Sequence, residues 1–76
     1  MTKLVLVEGS GVHDIFDVVE LTETLARVRS PFLFEIGEEL KVEVERDGVT
    51  KELVARVVSH SGPGDAKVTE LELVSP

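Results

Sequence analysis

Two histidines and a pair of nearby arginines are the side chains of this sequence best suited to chemistry. His13, with Asp14 and Asp17, has the residue types of a metal site. An extended chain would send residues 13 and 17 to one side and residue 14 to the other, so the three would not converge. A solvated acidic edge is the reading that remains. His60 between Ser59 and Ser61 invites a hydrolase interpretation. Such chemistry also requires a nucleophile elbow, an oxyanion loop and an acid to orient the imidazole, and none accompanies it. His60 therefore reads as a strand-end residue beside a turn. The stretch Ser61-Gly62-Pro63-Gly64-Asp65 lacks the lysine spacing and following helix of a phosphate cradle. Turn chemistry accounts for it: Pro63 fixes φ, Gly62 and Gly64 reach unusual dihedrals, and Asp65 can bond its own backbone. Arg27 and Arg29 share one face. They either balance glutamates across a sheet or dock an acidic partner. No catalytic residue, metal site or cofactor is expected.

The elements that would position these residues are mostly strands. In Glu39-Leu40-Lys41-Val42-Glu43-Val44-Glu45-Arg46, apolar and charged residues alternate, the signature of a strand with one buried face. Asp47-Gly48 follows, a pair that favours the tight two-residue hairpin turn. The returning strand, residues 50–59, is apolar on both faces near Val57 and Val58 and should lie centrally. A third strand, residues 67–74, completes an antiparallel meander. Towards the N-terminus, residues 3–7 read as a strand ended by Gly9-Ser10-Gly11. Residues 25–29 read as another, with Ala26 and Val28 on one face, and Pro31 stops it. Residues 12–21 remain open. Val12, Ile15, Phe16 and Val19 have helical spacing, yet the composition suits a strand. The expectation is a single domain over residues 1–76, an all-β antiparallel barrel of about five to six strands, with one short helix an alternative in this stretch.

Composition narrows the functional classes. With 76 residues and no cysteine, the chain has one small core and neither disulfides nor thiolate metal ligands. A net charge of −7 repels phosphate backbones and anionic lipid, so neither nucleic acid nor membrane is an expected partner. No long apolar run or secretory leader is evident, and the absence of cysteine fits a reducing cytoplasm, the expected location.

The order of L-A-R-V-R-S-P-F, I-G-E-E-L-K-V-E-V-E, L-V-A-R-V-V and T-E-L-E-L-V over residues 18–74 resembles the PilZ family. That resemblance implies a six-stranded bacterial signalling barrel, many of whose members bind cyclic di-GMP. Its ligand motifs are altered here. The family's R-x-x-x-R element is expected to be missing, since only Met1 and Thr2 precede Lys3. In place of D-x-S-x-x-G stands E-L-T-E-T-L: Glu20 replaces the aspartate, Thr22 the serine and Leu25 the glycine. Leucine bars the close backbone approach that glycine permits. The implied function is a degenerate, non-enzymatic regulatory module that binds another protein, or itself, and not cyclic di-GMP. The alternative is a cyclic dinucleotide receptor using Glu20, Thr22, Arg27 and Arg29, with Lys3 as a further cation.

For a protein partner, the corner at Arg29, Pro31 and Leu33 is the expected contact. Interface centres are depleted in charge, and arginine is enriched among residues that dominate binding energy. Phe32 and Phe34, two apart, are expected to point inward beneath it while Leu33 points out.

Overall fold

The computed structural model describes residues 2–63 and 67–75. Seven strands form one antiparallel sheet: β1 (Lys3–Glu8), β2 (Gly11–His13), β3 (Asp17–Leu21), β4 (Leu25–Arg29), β5 (Glu39–Arg46), β6 (Val49–Ser61) and β7 (Val68–Val74). Their spatial order is β2-β1-β5-β6-β7-β4-β3, which makes β6 central, as its two-sided apolar character predicts. The β5–β6–β7 meander is present, with a turn at Asp47 (φ 52°) and Gly48 (φ 81°). Both central residues have positive φ, the geometry of the type I′ hairpin that Asp-Gly favours.

One alternative left open is resolved and one expectation is corrected. No helix occurs among the described residues: the segment left open, 12–21, forms β2, a short link and β3. Among the described residues, therefore, no helix is long and apolar enough to cross a membrane. The sheet has seven strands rather than five to six, and it is not closed into a barrel, because β2 and β3 are unpaired edges. It is nevertheless curled. Laid flat, seven strands would set the outer two about 29 Å apart. The link Asp14-Ile15-Phe16 joins those same two strands, and an extended chain from His13 to Asp17 spans at most about 14 Å. The molecule measures 34 × 24 × 21 Å, so even its least dimension is about twice the thickness of one sheet layer.

Curling turns one face of the sheet into the core. Alternation sends Leu40, Val42 and Val44 of β5, Leu53, Ala55 and Val57 of β6, and Leu71 and Leu73 of β7 inward. Leu4, Ala26 and Val28 join them from the flanking strands, and Phe16 of the link plugs the core between the two edges. Register keeps the layers aligned, with Val42 opposite Leu53, and Val57 opposite Leu71, itself opposite Ala26.

Two bulges break this alternation, each at a Val-Val pair. Between Val18 and Glu20 the register shifts past Val19, so that Glu20 faces Arg27 on the outer surface. Between Val57 and Ser59 it shifts past Val58, so that His60 comes opposite the buried Thr69. A bulge flips every later side chain to the other face, and here it aims His60 inward.

Candidate protein-docking surface

The connection from β4 to β5, residues 30–38, carries three exposed large apolar side chains. Phe32, Leu33 and Ile36 are 57%, 67% and 67% exposed. Their backbone is held from several sides. Ser30 Oγ accepts a bond from the Phe32 amide (3.1 Å) and bends the chain after β4. Glu35 and Glu38 close a turn in which the Glu38 amide donates to the Glu35 carbonyl (3.1 Å) and Glu38 Oε1 accepts from the Glu35 amide (3.0 Å). Gly37 has φ 93°, the third-position geometry of a type II turn, so Ile36 is thrust outward at its apex. The Gly37 amide then donates to the Val57 carbonyl (2.7 Å), and the Val57 amide to the Glu38 carbonyl (2.9 Å), welding the segment to β6.

His60 supplies the remaining anchor. Its Nε2 donates to the Phe34 carbonyl (2.6 Å), and Nδ1 lies 2.9 Å from Thr69 Oγ1. The Phe34 ring, half-buried, packs on Phe16 with centroids 6.1 Å apart and on Phe32 at 6.4 Å. Phe34 thus holds the corner from beneath, as expected. Phe32 does not: it lies on the surface, because the bend at Ser30 removes the extended geometry that would have put both rings on one side. Beside it, Arg29, Pro31 and Leu33 line a shared cleft of about 280 Å³ with Ser30, Phe32, Lys67 and Thr69. The three predicted contact residues are therefore neighbours. Sequence reasoning missed Phe32 as a surface residue, Ile36, and the anchoring by His60; the glycine after Ile36 was the available signal for the exposed turn.

The residues proposed for a dinucleotide are differently disposed. Arg27 lies opposite Glu20 on one side and Glu70 on the other, with contacts of 3.0 and 3.3 Å. Thr22 is part of the β3–β4 turn, where its Oγ1 accepts from the Leu25 amide (3.0 Å) and the Thr24 amide (3.3 Å). Arg29 sits opposite Asp17 in register, and Lys3 pairs with Asp14 at 3.3 Å. Glu20 and Arg27 thus bind each other, while Thr22 is occupied in the turn and Arg29 opens on the other cleft. Among the described residues no group of three or more His, Asp or Glu could hold a metal. His60 is bonded to Thr69 and Phe34 rather than to either neighbouring serine, and Gly64 and Asp65 of the predicted turn lie outside the described residues. Comparison of the chain with protein-family models, with characterised proteins and with solved structures gives no match.

Proposed function

We propose that this chain is a non-enzymatic, cytoplasmic interaction module, a PilZ-like β domain without cyclic di-GMP binding, which docks a protein partner or a second copy of itself through the corner of Arg29, Pro31 and Leu33, extended by Phe32 and Ile36. The observation that carries the reading is the exposure of Phe32, Leu33 and Ile36 on a segment fixed by hydrogen bonds to β6. A rigid apolar patch on a strongly acidic surface loses little conformational entropy when covered, and such patches mark interaction sites. The engagement of Arg27 by two glutamates supports the loss of nucleotide binding, since phosphate would have to displace both carboxylates.

The test compares the wild-type chain with Leu33→Asp. Tagged wild-type protein should retain a partner from extract of its native cell, or show concentration-dependent self-association in sedimentation velocity, and Leu33→Asp should lose either behaviour with an almost unchanged thermal midpoint. A large fall in that midpoint would make Leu33 a structural residue, and unchanged association would remove this corner. Calorimetry should detect no cyclic di-GMP binding at micromolar concentration; saturable heat would favour the receptor alternative.

A further inference from the structure

The opposite end of the strands holds a second cleft, of about 370 Å³, between the β5–β6 hairpin and the β3–β4 turn. Its composition follows from register. On the core face, Val42 pairs with Leu53, then Val44 with Lys51, then Arg46 with Val49. The outermost layers of what should be apolar interior therefore contain two cations. Val44 and Leu53 are buried and form the floor, while Val49 is 68% exposed on the wall. Glu23 and Thr24 of the β3–β4 turn form the facing rim. The Arg46 guanidinium donates to the Thr22 carbonyl (2.6 Å), which holds the turn over the cleft and fixes the plane of the guanidinium.

Two cations meet at this cleft. The chain has 15 acidic and 8 basic residues, so carboxylates outnumber cations. Lys3, Arg27 and Arg56 pair with one, whereas among the described residues Arg29, Lys41, Arg46, Lys51 and Lys67 have none within ion-pair distance. Of these, Arg46 and Lys51 face this cleft above its apolar floor, and Arg29 and Lys67 line the corner cleft. With Glu23 on the rim, the cleft carries one net positive charge above an apolar floor.

We propose that this cleft binds a small amphiphilic monoanion, its carboxylate held between Arg46 and Lys51 and its apolar body lying on Val44, Val49 and Leu53. Arginine's remaining donors suit a planar carboxylate, and lysine adds a point charge. A phosphate monoester, close to two negative charges at neutral pH, would exceed the net charge of the cleft and meet Glu23. The cleft volume falls within the range of small-molecule sites.

Decanoate below its micellar concentration is the probe, titrated into isotope-labelled protein and followed by amide NMR. Saturable shifts confined to residues 22–24 and 44–53 are expected. Lys51→Gln, an exposed change that leaves the turn intact, should weaken binding at least about tenfold, the loss of one charge-assisted bond. Arg46→Gln should do the same. Decanol should bind more weakly than decanoate, and octyl phosphate more weakly than octanoate. The proposal is overturned if decanoate shifts nothing, if the shifts map to residues 32–36, if decanol binds equally well, or if Lys51→Gln binds like the wild type. Tighter binding of octyl phosphate would overturn the assignment of a singly charged head.

Discussion

At His60 two hydrogen bonds determine which ring nitrogen carries the proton. A carbonyl oxygen only accepts, so Nε2, 2.6 Å from the Phe34 carbonyl, must be protonated. In the neutral ring Nδ1 then accepts from the Thr69 hydroxyl. Long-range nitrogen–proton NMR correlations should therefore show the Nε2–H tautomer. His60→Ala would leave the half-buried Phe34 carbonyl and the Thr69 hydroxyl without partners, at a cost of about 1–2 kcal/mol. Urea denaturation should show that loss, and amide exchange should quicken over residues 33–36 before it does elsewhere. An unchanged midpoint would mean that water replaces the imidazole fully. The sequence placed His60 correctly at the end of a strand but not its orientation, which depends on a bulge that alternation alone does not reveal. Arg27 and Arg29 were easier, because strict alternation with Ala26 and Val28 fixes the outer face, and Glu20 and Glu70 then lie within reach of Arg27.

At the scale of elements, the β5–β6–β7 meander was legible because alternation and turn chemistry agree there. The turn itself offers a test. Gly48 at φ 81° occupies a region that β-branched residues avoid, so Gly48→Val should cost about 1–2 kcal/mol. The expected signature is a lower urea midpoint with an unchanged slope. A cost near zero would show that the hairpin can adopt another turn. Residues 12–21 were misleading for a physical reason. The helix-like spacing of Val12, Ile15, Phe16 and Val19 mixes two exposed valines with two residues of the core plug. It arises from a bulge at Val19 and a link that crosses between edges, not from one face of a helix. The Val-Val doublets at 18–19 and 57–58 were the available sign, since each marks the point where one residue is extra.

For the molecule as a whole, the all-β class followed from composition and pattern, whereas closure did not. Whether the outer strands of a sheet bond to each other depends on twist and stagger summed over every strand, and no local segment encodes that sum. The two candidate surfaces lie at opposite ends of the strands. The corner follows the end of β4 and precedes the start of β5; the cleft lies at the start of β4 and the end of β5. Eight residues of β5 separate them by about 24 Å. Leu33→Asp should therefore leave decanoate binding unchanged, and Lys51→Gln should leave partner binding unchanged, since sites this far apart without a shared network behave additively.

The three-residue link between the edges also has a thermodynamic role through chain entropy. The β1–β2 hairpin docks on β5 and the β3–β4 hairpin on β7, far apart along the sheet order, yet Asp14-Ile15-Phe16 keeps them tethered to each other. Once one hairpin has docked, the other searches a volume only a few residues wide, so the tether acts as a high local concentration. Lengthening it should relax that advantage without touching a single contact. Ten Gly/Ser residues inserted between Asp14 and Ile15 amount to roughly two doublings of the link, or about 1 kcal/mol of lost stability. Urea denaturation and stopped-flow refolding would measure it. A much larger loss would mean that the short link also holds the sheet in its curled shape, and no loss would mean that the hairpins fold onto the meander independently.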